Sequence, residues 1–173
     1  GDDAICIKSG KNAEARTFED PCENLYIHDC IVNEGHGGFV IGSEMSRDVK
    51  NILVENCTFA GTDVGIRIKS AMGRGGVVED ITIRNINMID IKNEAVILTM
   101  GYVLNLLDKN ETIAQIDESD VPYFKNILIE QIECNGCEPI SGRENTISDI
   151  TIKDSVFAAN KENVINGENI VII

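Results

Sequence analysis

From Asn24 the chain runs polar, apolar, variable, apolar, variable, polar, apolar, and this order returns five more times. The copies are "NLYIHDCIV" from Asn24, "NILVENCTF" from Asn51, "DITIRNINM" from Asp80, "NILIEQIEC" from Asn126, "DITIKDSVF" from Asp149 and "NIVII" from Asn169. A period of two is that of a strand, because successive side chains point to opposite faces. Leu25, Ile52, Ile81, Ile127, Ile150 and Ile170 share one register, and Ile27, Val54, Ile83, Ile129, Ile152 and Ile172 share the next inward one. β-Branched residues dominate both, as a pleated buried surface favours. The spacing predicts stacked interior ladders, one rung per turn of a solenoid.

At the sixth position Asp29, Asn56, Asn85, Gln131 and Asp154 recur. Short polar side chains there predict a corner, since they accept backbone hydrogen bonds and tolerate unusual dihedrals. Cys30 and Cys57 follow it in the register of Ile86 and Ile132 and read as small core hydrophobes. Between the copies lies a second strand: "AICIKS", "GFVIGS", "GIRIKS", "AVILTM", then the weaker "EPISG" and "NVINGE". Two or more strands per turn and no amphipathic helix predict an all-β fold, a parallel β-helix of about six coils. A leucine-rich repeat is disfavoured, because its leucine spacing and asparagine consensus are missing. Residues 1–173 are read as one β-helix segment of a longer domain, with a loop insertion at about 101–122.

Aligning the second strands on Ser9, Ser43 and Ser70 stacks Lys8 over Gly42 and Lys69, and Cys6 over Val40 and Arg67. Asp2 and Asp3 then fall beside His36 and Gly37, one strand spacing of about 4.8 Å away. Each part has a plain reading by itself. Asp-Asp after a glycine makes a turn, and Arg67 with Lys69 makes a charged strand face. His36 stands out because Gly35 and Gly37 remove bulk on both sides and let a ligand approach the backbone. Together they form a constellation: a carboxylate pair, a histidine and two cations on one side of three neighbouring coils.

Charge sharpens that picture. Lys and Arg total 15 against 29 Asp and Glu, a net charge of −14. Such a balance argues against nucleic acid and against an anionic membrane surface as partners. An acidic ligand would need a local basic patch, which Arg67 and Lys69 supply. Six cysteines are too few for a disulfide scaffold at this length, and the pair Cys134 and Cys137 lacks a second half for a zinc site, so no metal is expected.

"GDDAICIKSG", "GHGG" (Gly35 to Gly38), "GIRIKS" and "GRGGVVEDI" (Gly73 to Ile81) occur in order and at coil spacing, and with them the chain resembles the polygalacturonases of glycoside hydrolase family 28. The resemblance implies a right-handed parallel β-helix and inverting hydrolysis of α-1,4 bonds between galacturonic acid units, without metal or cofactor. It implies Asp2 as general acid, Asp3 as a residue that helps activate water, and His36 as support for the acid's protonation and hydrogen bonding. Arg67 and Lys69 would hold the sugar carboxylate, Gly37 would leave room for substrate, and Tyr102 would match a substrate-contacting tyrosine. Ala4 stands where the family commonly has cysteine and is expected to be a small inward residue.

A further aspartate, in an Asn-Thr-Asp motif one coil earlier, is expected upstream of residue 1, so the segment alone is expected to be inactive. An inverting site needs its carboxylates roughly 6.5–9.5 Å apart to admit a water. Two close carboxylates cannot both ionise freely, so one of the pair is expected to keep its proton to higher pH. Exo-action on an acidic galacturonan is the expected mode, with the 101–122 insertion as a barrier closing one end of the groove. A rhamnogalacturonan hydrolase, a pectate lyase and a non-catalytic carbohydrate-binding solenoid are the alternatives. Acidic residues are not clustered as a calcium cage would require, which disfavours the lyase.

Overall fold

A computed structural model describes the backbone of residues 1–101, 117–135, 141–143, 147–158, 164–165 and 168–173. Among these described residues the twelve strands are β1 (Ile5–Ile7), β2 (Cys22–His28), β3 (Ile31–Gly42), β4 (Val49–Lys69), β5 (Val77–Ile89), β6 (Val96–Thr99), β7 (Tyr123–Asn135), β8 (Ser141–Arg143), β9 (Ile147–Lys153), β10 (Val156–Ala158), β11 (Val164–Ile165) and β12 (Glu168–Ile172). Every pair among them is parallel. The coil is a right-handed parallel β-helix, the hand that parallel crossover connections adopt.

Three strand faces run along the helix. On the first, β2, β4, β5, β7, β9 and β12 stack the six repeat copies, with Leu25 on Ile52, Ile52 on Ile81, Ile81 on Ile127, Ile127 on Ile150 and Ile150 on Ile170. The second carries β1, β3, β4, β6, β8 and β11. A third, outside the two expected from sequence, joins residues 31–33, 58–60, 87–89, 133–135 and 156–158. The long strands β3 and β4 turn these corners without interruption, which is why period alone did not separate their parts.

The inward ladders are buried as the pattern predicts through the middle rungs, whereas at the end rungs Leu25, Ile27 and Ile170 are half-buried and Ile172 is exposed. Val54, Ile83 and Ile129 have no exposed surface, and Ile52, Ile81 and Ile127 have almost none. Each such side chain contributes roughly 1.5–3 kcal/mol by leaving water. Cys57 is buried beside Ile86 and Ile132, whereas Cys30, one coil nearer the end, is half-buried. Cys134, also inward, is disulfide-bonded.

The corner residues take the backbone they were expected to tolerate: Asp29, Asn56, Asn85, Gln131 and Asp154 have φ between 51° and 57°. So do the residues that open each copy, Asn24, Asn51, Asp80, Asn126, Asp149 and Asn169, at 51° to 60°. Left-handed backbone is costly for most L-residues and cheapest for Asn, Asp and Gly. The side chains also bond one another along the stack. Asn51 Nδ2 donates to Asn24 Oδ1 at 2.6 Å, Asn85 Nδ2 to Asn56 Oδ1 at 2.6 Å, and Asn126 Nδ2 to Asp80 Oδ1.

Candidate active site

On the second face, alternation sends Ile66 and Ile68 of β4 into the core and turns Arg67 and Lys69 to the opposite, outward side of the strand. The register is the one the serine alignment gives: Cys6 lies on Val40 and Val40 on Arg67, while Gly42 lies on Lys69. Upstream of β1, the His36 amide donates to the Asp2 carbonyl at 3.2 Å, and the Ala4 amide donates to the Gly37 carbonyl at 2.9 Å. Asp2 and Asp3 are thereby held beside His36 and Gly37. Ala4 is exposed.

The two aspartates divide. Asp2 keeps 91% of its side chain exposed, with its Oδ1 3.8 Å from His36 Nδ1 and accepting the Asp3 amide at 2.8 Å. Asp3 turns inward with only 9% exposed, and its Oδ2 accepts from Lys69 Nζ at 2.7 Å. Lys69 is itself 6% exposed along its side chain. Its ammonium is thus committed to Asp3 first, which modifies the expectation that it serves the sugar carboxylate alone. The other carboxylate oxygen, Asp3 Oδ1, is buried without a protein hydrogen-bond partner.

Gly37 makes this possible. A Cβ at this position would sit 2.4 Å from Val40 Cγ2 and 3.2 Å from Asp3 Oδ1. The packing of Asp3 therefore depends on a missing side chain.

Electrostatics run against one expectation. The Asp3 amide holds the Asp2 carboxyl below its ordinary value of 3.8; slight desolvation pulls the other way, and the charges of His36, Lys69 and Lys8 add to the lowering. Repulsion from Asp3 does not dominate at Asp2, because Lys69 lies against Asp3. His36 likewise favours the ionised form of Asp2 rather than its protonated form.

Asp2, Asp3, His36, Gly37 and Lys69 thus meet in one place, and Arg67 shares the strand face of Lys69, half-buried. Tyr102 lies outside the described residues. The exposed acid beside a buried, cation-held carboxylate suits proton transfer at a bond lying along the coil face.

The model of glycosyl hydrolases family 28 matches residues 1–154. The chain belongs to that family. Among similar proteins, the exo-poly-α-D-galacturonosidase of Dickeya chrysanthemi is 35% identical over 113 residues, which are 65% of this chain and 18% of that protein. A polygalacturonase of Cryptomeria japonica is 28% identical over 163 residues, 88% of this chain and 29% of that protein. The hyperthermoactive exopolygalacturonase from Thermotoga maritima superposes with a TM-score of 0.79 at 26% identity, covering 99% of this chain and 39% of its own. A family 28 exopolygalacturonase of Yersinia enterocolitica, at 18% identity and a TM-score of 0.73 over 98% of this chain and 34% of its own, shares the fold. The chain therefore spans between 18% and 39% of the length of these relatives.

Proposed function

We propose that the whole protein hydrolyses α-1,4 bonds between galacturonic acid units of pectin or oligogalacturonides, with inversion and from chain ends. The observation that carries this reading is the convergence of Asp2 with His36 and of Asp3 with Lys69 on one outer face of the β-helix. Family membership supports the reaction class, and the names of two relatives support the exo mode. The 101–122 insertion would supply the barrier at one end of the groove, and Tyr102 within it a contact to the sugar.

In this mechanism Asp2 protonates the leaving glycosidic oxygen. A depressed pKa makes Asp2 a stronger acid, and the Asp3 amide and His36 stabilise the carboxylate left after transfer. An arriving sugar carboxylate and the exclusion of water would raise that pKa and load the proton. Asp3, fixed by Lys69, helps activate the attacking water with a further carboxylate from an adjoining coil. A buried oxygen without a protein donor, such as Asp3 Oδ1, is costly and tends to occur where function demands it. Lys69 positions Asp3 and, with Arg67, supplies the positive charge that draws an anionic sugar toward a protein of net charge −14. Gly37 keeps the floor low.

Incubating the whole protein with galacturonic acid oligomers tests the reading. Saturated galacturonate released one unit at a time, with inverted anomeric configuration, is the expected product. Unsaturated ends, and loss of activity on calcium chelation, would instead mark an eliminating enzyme on the same scaffold.

A further inference from the structure

Cys30 and Cys57 take no part in the chemistry above, and they stand directly on one another. His28 of β2 pairs with Glu55 of β4, and Ile31 of β3 pairs with Thr58, so the corners between them are in register. Hydrogen bonds carry that register through the corner. The Asp29 amide donates to the Glu55 carbonyl at 3.2 Å, and the Thr58 amide donates to the Cys30 carbonyl at 2.9 Å. The two cysteine Cα atoms are therefore one strand spacing apart, about 4.8 Å, inside the range of roughly 4.4–6.8 Å that a disulfide spans.

The side chains match as the backbones do. Cys30 Sγ lies 3.3 Å from the His28 carbonyl oxygen and Cys57 Sγ lies 3.2 Å from the Glu55 carbonyl oxygen, each two residues back along its own strand. Equal contacts on stacked backbones mean that both thiols lean the same way, one above the other. Both are free. An S–H group is a weak donor, so giving up these two hydrogen bonds costs little.

Among the described residues no other cysteine competes for either partner. Cys6 faces outward on β1, over Val40, and Cys22 lies at the far end of β2, over Val49. Cys134 is disulfide-bonded and stacks on Met88 in a different ladder. Beyond Cys57 the ladder continues as Ile86 and Ile132. The thiol pair thus sits between the coil that goes on to supply His36 and the coil that goes on to supply Arg67 and Lys69.

We propose that Cys30 and Cys57 are a redox-modifiable pair, joined by a disulfide when the protein meets a disulfide oxidant such as oxidised glutathione and separated again by thiols. Cys30 is half-buried and Cys57 almost wholly buried, so Cys30 reacts first. Its thiolate attacks one glutathione sulfur, breaking that disulfide and releasing one glutathione. The Cys57 thiolate then attacks the Cys30 sulfur of the mixed disulfide and expels the second glutathione. Two electrons pass from the pair to the oxidant, and the two thiol protons end on the two released glutathiones. Burial pushes the Cys57 thiol up, so the second step sets the pace. One rung is wider than the roughly 3.8 Å that an unstrained disulfide takes between its Cβ atoms, which makes the bond readily reducible. Once closed, it ties the corner before His36 to β4 and slows the parting of the two coils on which the site stands.

The test equilibrates the whole protein with oxidised or with reduced glutathione, quenches exchange with acid, alkylates in denaturant with N-ethylmaleimide and digests without reductant. Mass spectrometry is expected to find a peptide cross-linked through Cys30 and Cys57 after oxidation, with Cys6 and Cys22 alkylated, and all four alkylated in the reduced sample. Unfolding in urea is expected to be about tenfold slower in the oxidised protein, and equally fast in both samples of Cys57→Ser. Cys30 and Cys57 that both stay alkylated after oxidation, a cross-link from either to Cys6 or Cys22, or a glutathione adduct that persists on Cys30 would each overturn the proposal. So would oxidation that slows unfolding as much in Cys57→Ser as in the unaltered protein. The mass measurement needs no substitution, and it decides the matter even where Cys57→Ser does not fold.

Discussion

Lys69 Nζ lies 2.7 Å from Asp3 Oδ2 across 66 residues of sequence, and each side chain is at least nine-tenths buried. A buried ion pair gives little net stability, but removing one partner strands the other charge in a poor solvent for it. Lys69→Met is expected to destabilise the fold by about 3 kcal/mol and to lower turnover as well as affinity. Urea denaturation with parallel kinetics would check this; a pure affinity defect at full stability would show that Asp3 does not depend on Lys69.

Asp2→Asn keeps the shape of the exposed acid and removes its proton. In the whole protein we expect kcat to fall by at least about 100-fold, the lower end of what general acid catalysis contributes, with oligogalacturonide binding largely retained. Near-normal turnover would reject the acid assignment.

The titration of Asp2 has a definite sign. Its carboxyl is lowered in the folded chain, so the ionised form is favoured; the stabilisation is present above the ordinary value of 3.8 and is lost as pH falls through the folded value. An NMR titration of the Asp2 carboxyl should find a midpoint below 3.8, and His36→Ala should move it upward by removing one of the charges that lower it. A midpoint that stays put or drops in that variant would dissociate His36 from the acid.

Gly37→Ala places a methyl 2.4 Å from Val40 Cγ2 and 3.2 Å from Asp3 Oδ1. Overpacking of this kind costs about 1–3 kcal/mol, and Asp3 is the group displaced. Activity should therefore fall further than stability does, which thermal unfolding measured beside turnover would reveal.

Asn56 stands at φ 57° and accepts a hydrogen bond from Asn85 Nδ2. Asn56→Ala is expected to cost about 1–2 kcal/mol, since alanine tolerates the left-handed region poorly. Asn56→Gly should recover part of that loss, and equal stabilities for the two variants would show that backbone conformation is not what the position demands.

The sequence made the coil legible because its strongest signal is local: a period of two repeated at Ile52, Ile81, Ile127 and Ile150 leaves few other folds. Placing Asp2 and Asp3 beside His36 and Gly37 required only that Ser9, Ser43 and Ser70 stack, and the strand register agrees. Division of labour between the aspartates was not legible. Which carboxylate turns inward depends on a lysine 66 residues away and on a glycine with no side chain to advertise itself. The expected rise in pKa failed at Asp2 for the same reason, as the charge expected to repel it is matched by Lys69. The opening residues of each copy read only as polar, although they share the left-handed backbone of the sixth position.

Ile81 rests on Ile127 as directly as Ile52 rests on Ile81, although the chain between the first two is much the longer. Asn126 bonds Asp80 across 46 residues, and Asn85 bonds Asn56 across 29. Extra chain can therefore be spliced in at a corner without disturbing the rungs above and below. Architecture of this kind separates inheritance of the catalytic floor from experimentation at its walls, so new substrate preferences can arise by lengthening one excursion while the chemistry beneath is left alone.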